Sequence, residues 1–133
     1  IIDIKESSGN LEQCKRITRD KAKDFLLISG DDMFTVARYS MGAKGVISVL
    51  ANAFPVIFKR MKEFSFAGDY AKASAEIFKL LDINPLMYEE SNPVGLKAVL
   101  ENMRVCSGMV RLPLVPASAS LKKKINTHFL KKK

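Results

Sequence analysis

The chain has no tryptophan, a single histidine and only two cysteines among its 133 residues. Each scarcity excludes something. Cys14 and Cys106 stand far apart, with neither the close spacing of a zinc site nor the number needed for a disulfide framework. The one histidine, His128, lies in a basic tail remote from both, so a Cys–His nucleophile is not expected. The bland reading is two small, semi-buried thiols in a reducing, cytoplasmic setting. Long apolar runs are also missing. The longest uncharged stretch, residues 45–58, contains a proline. It is short of the roughly 20 residues that a membrane-spanning helix needs. No secretory signal is visible. Gly42 and Gly45 make no dinucleotide fingerprint, and no phosphate-loop pattern is present. The first residue is Ile1 rather than methionine, so the chain reads as a piece of something longer.

What is there is a globular balance, with 47% hydrophobic and 27% charged residues, enough for one domain with a real core. The net charge is +8, and six of those charges are Lys122, Lys123, Lys124, Lys131, Lys132 and Lys133. No aromatic-rich binding motif accompanies these lysines. A solvated helix end, favourable to the helix dipole, is therefore preferred over a nucleic-acid patch.

The pattern along the chain is strand, helix, strand, helix, strand, helix, then helices alone. Residues 1–5 form a β-branched strand, and Asn10 can cap a helix through Leu11, Cys14 and Ile17. Phe25-Leu26-Leu27-Ile28 is a continuous apolar run, as in a strand covered on both faces. Asp31 and Asp32 sit where a helix N-terminus wants acceptors. Side-by-side carboxylates there are more often caps than metal ligands. Residues 46–49 predict a third strand, and Pro55 falls in the first turn or two of the next helix. After Gly68 only helical signals remain. Asp69 caps Tyr70, Ala73, Ile77, Leu80 and Leu81, and Pro85 interrupts near Asn84. Asn92-Pro93 predicts a cap with proline at the first helical position, followed by Leu96, Val99, Leu100 and Met103. Residues 111–116 form an extended proline-punctuated segment, and a last helix covers 118–129. Three alternating βα units argue for a parallel sheet.

Lys5 closes the first strand, just before the turn Ser7-Ser8-Gly9-Asn10. An amine at the C-terminal end of such a strand stands where α/β barrels keep their chemistry. In a dry pocket a lysine can lose its proton and attack a carbonyl. Taken alone, a solvated strand end is the commoner explanation of such a lysine.

Six ordered blocks shift that balance. They are Ile4-Lys5-Glu6 with Ser8-Gly9-Asn10-Leu11; Ser29-Gly30-Asp31-Asp32; Gly45-Val46-Ile47-Ser48-Val49; Ala51-Asn52; Asn92-Pro93 with Lys97-Ala98; and Arg111-Leu112-Pro113-Leu114. In this order the chain resembles the dihydrodipicolinate synthase family of the N-acetylneuraminate lyase superfamily, which are class I, lysine-dependent aldolases. The resemblance implies a (β/α)8 barrel followed by a helical extension. A whole barrel takes about 250 residues. This chain then corresponds to the C-terminal part, with the last three parallel strands and their helices over 1–67 and a helical segment over 68–133.

The resemblance makes Lys5 the Schiff-base residue, condensing with pyruvate to an imine and then an enamine that attacks aspartate semialdehyde. Ile47 falls on the position whose backbone contacts pyruvate, and Gly30 on a position lining the same pocket. Without the family, Gly30 would be a tight turn and Ile47 a core strand residue. No organic cofactor and no metal are implied. A homo-oligomer, commonly a tetramer, is implied at full length; nucleic acid and membrane are not. The family's relay tyrosines and threonine, the arginine for the aldehyde and the lysine feedback site precede the lysine strand. Tyr39, Tyr70 and Tyr88 match none of those positions.

One departure stands out. Asp3 replaces a small residue, and by period two it points to the side of Lys5. A carboxylate there would favour the ammonium form, unless Asp3 turns away. Two alternatives remain: another pyruvate-dependent aldolase of the superfamily, such as a sialic-acid-type lyase, or a non-catalytic remnant or interaction module. Half a barrel should also expose strand edges and an apolar sheet face, leaving the chain alone poorly folded or inactive.

Overall fold

The structure, a computed structural model, describes residues 1–130. Three strands, β1 (Asp3–Glu6), β2 (Leu26–Ser29) and β3 (Gly45–Val46), form a parallel sheet in the order β1-β2-β3. Helix α1 (Leu11–Asp20) connects the first pair and α2 (Thr35–Ser40) the second. A 3-10 turn at Leu50–Asn52 leads into α3 (Pro55–Phe66). Then come α4 (Tyr70–Phe78), a 3-10 turn at Asn84–Met87, α5 (Val94–Asn102) and α6 (Ala119–Leu130).

Local chemistry accounts for most of these starts. The Asn10 side chain accepts from Gln13 N at 3.0 Å, supplying one of the acceptors that the first turn of α1 lacks. Pro55 opens α3, where its missing N–H leaves no bond unmade. Asp69 accepts from Lys72 N at 3.0 Å at the start of α4. Gly68, with φ +81°, makes the turn between α3 and α4 in a conformation that glycine adopts without strain.

The strands alternate. Register sets Lys5 beside Ile28, Glu6 beside Ser29 and Ile28 beside Gly45. Glu6, Leu27 and Ser29 face the helices and are buried. Asp3, Lys5, Leu26, Ile28 and Gly45 share the other face, and no element covers it among the described residues. Leu26 is left exposed there. Helix α4 packs on α2 and α3, and α6 on α5. One apolar cluster runs from Leu27, Leu50 and Met61 through Ile77, Ile83 and Val99 to Leu121 and Ile125. Each fully buried leucine or isoleucine there contributes about 1.5–3 kcal/mol.

Several expectations from periodicity need correction. The first strand spans Asp3–Glu6, not 1–5, because the ladder with β2 begins at Asp3. The third is only Gly45–Val46, because Asp32 pulls the following backbone into a turn. Helix α4 ends at Phe78, short of Leu80 and Leu81, and the chain turns before the 3-10 segment holding Pro85. Asn92 does not cap α5: Pro93 occupies the cap position across a cis peptide bond, and no side chain caps the helix. Lys122, Lys123 and Lys124 lie in the first turns of α6, so its dipole does not favour them. Ion pairs hold two of them, Lys122–Glu101 at 2.7 Å and Lys124–Glu89 at 2.6 Å. Lys131, Lys132 and Lys133 lie outside the described residues.

No described helix is long and apolar enough to cross a membrane. At the α5 contact, a Cβ on Gly95 would collide with Leu86 O and stand 2.6 Å from Met87 Cα, both backbone. Backbone cannot swing aside as a side chain can. Gly95→Ala should therefore destabilise the fold by about 3 kcal/mol, at the upper end of overpacking costs. Urea denaturation of the two proteins measures it, and an unchanged midpoint would contradict the packing described.

Candidate active site

The candidate site stands at the C-terminal ends of the strands, on the open face. Gly30 and Ile47 continue the ladder one step past β2 and β3: Gly30 N donates to Glu6 O at 2.7 Å, and Ile47 N to Ser29 O at 2.8 Å. By strand alternation both fall on the face of Lys5. The Lys5 side chain lies directly on Gly30. A Cβ at position 30 would stand 2.7 Å from Lys5 Cε and 3.0 Å from Cγ, and would overlap Ser7 Oγ. Any side chain at position 30 would push the Lys5 chain and the Ser7 hydroxyl aside. Ile47 is 56% exposed beyond the end of β3, so it is not the core strand residue its type suggests.

Lys5 itself is exposed, not enclosed in a dry pocket, because nothing among the described residues covers the open face. Asp3 shares that face, but no ion pair within 4 Å joins it to Lys5. Its departure from a small residue therefore does not clamp the amine.

Beneath the sheet end lies a buried polar cluster that sequence reasoning did not single out. Glu6 is 4% exposed and Arg38 0%. Arg38 Nη2 donates to Glu6 Oε2 at 2.6 Å, and Nη1 donates to Glu6 O at 2.9 Å and Ser29 Oγ at 3.1 Å. Ser8 N donates to Glu6 Oε1 at 2.7 Å and Cys14 Sγ to Oε2 at 3.1 Å. Burial by itself pushes the Glu6 carboxyl up. Hydrogen bonds from Ser8 and Cys14 and the charge of Arg38 outweigh it and hold the group below its usual range. Burial, then the neighbouring carboxylate, raises the Cys14 thiol. Cys14 is thus a buried, unreactive donor, while Cys106 is exposed, so the two thiols differ from the semi-buried pair expected. One signal could have found Arg38. It follows Thr35 by three positions on the buried stripe of α2, where an arginine demands an acidic partner.

The adjacent aspartates do different work. Asp31 accepts from Phe34 N at 3.0 Å, capping the turn that leads into α2. The Asp32 side chain instead accepts from Val49 N at 3.2 Å and Leu50 N at 2.8 Å, capping the 3-10 turn that follows Ile47. Burial raises the Asp32 carboxyl above its usual value, and hydrogen bonds from Ser48, Leu50 and Val49 offset this only in part. No group of three His, Cys, Asp or Glu side chains is arranged to hold a metal among the described residues.

A parallel βα layer with its lysine at a strand end, polar groups gathered beneath it, defines an α/β enzyme-type scaffold rather than a binding helix bundle. The dihydrodipicolinate synthetase family model matches residues 1–132, and the chain belongs to that family. It is 45% identical over 131 residues to the 4-hydroxy-tetrahydrodipicolinate synthase of Cytophaga hutchinsonii, covering 98% of this chain and 44% of that protein. The synthase of Archaeoglobus fulgidus is 38% identical over 125 residues, covering 94% and 43%. The crystal structure of dihydrodipicolinate synthase from Aquifex aeolicus superposes with a TM-score of 0.91 at 32% identity, over 99% of this chain and 45% of that one. The chain thus spans a little under half the length of the curated relatives it matches.

Two measurements test this geometry. Arg38→Met leaves Glu6 buried without its partner and should cost about 3–5 kcal/mol by urea denaturation. The double variant Glu6→Gln/Arg38→Met should recover most of that, and a single variant as stable as its parent would contradict the pairing. Asp32→Asn keeps an oxygen for both backbone donors but cannot ionise. A carboxyl raised on folding lowers stability as pH rises from its unfolded value through its folded one. The stability of Asp32→Asn relative to its parent should therefore increase from about pH 4 toward neutrality. A difference that stays flat with pH would mean that Asp32 is not raised.

Proposed function

We propose that this chain is the C-terminal part of a (β/α)8 barrel, with the last three strands followed by the helical extension. In that setting it contributes the Schiff-base lysine of a 4-hydroxy-tetrahydrodipicolinate synthase acting in lysine and diaminopimelate biosynthesis. The element order supports the placement, with three βα units and then helices only. So does the share of the relatives' length that the chain spans.

The observation that carries the reading is the Lys5 side chain lying on Gly30 at the strand ends. Lys5 Nζ adds to the ketone carbon of pyruvate, and loss of water gives the imine. The imine withdraws electrons, so the pyruvate methyl gives up a proton and an enamine forms. The enamine carbon attacks the aldehyde carbon of aspartate semialdehyde, whose oxygen takes a proton. Return of water, or attack by the substrate's own amine, then frees Lys5. Gly30 keeps the approach to the amine open, and the backbone at Ile47 contacts the bound pyruvate. No resident cofactor is needed, because the protonated imine is itself the electron sink. The residues that move protons and recognise the aldehyde come from sequence preceding Lys5, and the assembled protein is a homo-oligomer in the cytoplasm.

A second reading, a non-catalytic remnant or interaction module, is favoured for the chain alone by the exposure of Lys5. Incubation with pyruvate and borohydride, followed by peptide mass spectrometry, separates the two. In the protein as its gene encodes it we expect the adduct on Lys5, and Gly30→Val should abolish it by filling the space the side chain crosses. Adduct spread evenly over surface lysines, unaffected by Gly30→Val, would support the remnant.

A further inference from the structure

Strand β1 is an edge strand, hydrogen-bonded only to β2 among the described residues. Four residues of ladder do little to hold its end in place. Ser8 N and Cys14 Sγ hold the Glu6 carboxylate from the turn and from α1, and the link that reaches both strands comes from α2. Arg38 reaches under the sheet and bonds the carbonyl and the carboxylate of Glu6, the residue after Lys5, and the hydroxyl of Ser29, the residue before Gly30. Its guanidinium carbon stands 5.9 Å from the centroid of the Phe34 ring, which closes that side.

We propose that Arg38 is a positioning residue for the Schiff-base reaction: its guanidinium ties the ends of β1 and β2 together and so holds the Lys5 amine at a fixed height over Gly30. This rests on the reading of Lys5 given above. The chemistry requires a guanidinium. Three acceptors on two strands must be met from one side, and a planar fork with several fixed N–H groups meets them at once. An ammonium offers a single point charge on a flexible stem. The acceptors are the backbone carbonyl of Glu6, its buried carboxylate and the short side-chain hydroxyl of Ser29, so the constraint passes to the main chain on either side of Lys5 and Gly30. Misplacing a reacting group by about 1 Å can slow a reaction on the order of a hundredfold.

The test uses the protein as its gene encodes it, with two variants. Glu6→Gln/Arg38→Met removes the buried charges together, and Arg38→Lys keeps the charge but loses the fork. Thermal midpoint, kcat, pyruvate KM and the rate of borohydride-trapped adduct at Lys5 are measured for each. We expect both variants to fold, with kcat and the trapping rate at Lys5 down by about ten- to a hundredfold and pyruvate KM nearly unchanged. A folded double variant that traps pyruvate on Lys5 at the parental rate would overturn the proposal. So would a loss that vanishes on cooling to where the variant is fully folded, or failure of both variants to fold, since each would leave Arg38 a purely structural role. Absence of any Lys5 adduct in the unsubstituted protein would overturn the Schiff-base reading itself, and this inference with it. Parental adduct with unaffected variants would overturn the inference alone.

Discussion

The buried pair between Glu6 and Arg38 is the interaction on which the candidate site depends. An arginine that is 0% exposed has lost its hydration entirely, and only pairing makes that tolerable. Here carboxylate, carbonyl and hydroxyl meet the two terminal nitrogens of the guanidinium, Nε has no partner, and a thiol and a backbone N–H also bond the carboxylate. Such an arrangement is worth little as net stability against a well-packed apolar equivalent. Its value lies in geometry, because its acceptors belong to the two strands that present Lys5 and Gly30.

Around that cluster the structure separates two kinds of surface. On the helix side, apolar contacts run continuously from the sheet through α3 and α4 to α6. On the other side Lys5, Gly30 and Ile47 stand together with Leu26 and Ile28, and nothing described here covers them. On the described residues alone, Lys5 therefore stands open to water. Asp32 adds a second tie. It links the turn after β2 to the turn after Ile47 through two backbone N–H groups, so all three strand ends are held by buried acids or their partners.

What could be read from the sequence was local. The capping roles of Asn10 and Asp69, the proline start of α3, the alternation of three βα units and the switch to helices after Gly68 all follow from hydrogen bonds and apolar periodicity within a few residues. Lys5 at a strand end was legible for the same reason. The six ordered blocks carried the family, which neither composition nor period would have reached. The errors also have local causes. Residues 46–49 are β-branched and apolar enough for a strand, and Asn92-Pro93 is a sound cap signal, yet each yields to a contact or backbone form that no short window contains.

By itself, then, the sequence determined the order and type of the elements and placed one amine where a strand ends, because those features depend on neighbours along the chain. Tertiary structure alone decided the rest. Arg38 meets Glu6 across 32 positions, and Asp32 caps a turn 17 and 18 positions further on. Gly30 makes room for a side chain on another strand. Each joins segments that only the parallel sheet brings together. A charge with no partner nearby in sequence therefore reveals its role only when folding buries it and forces it to find one.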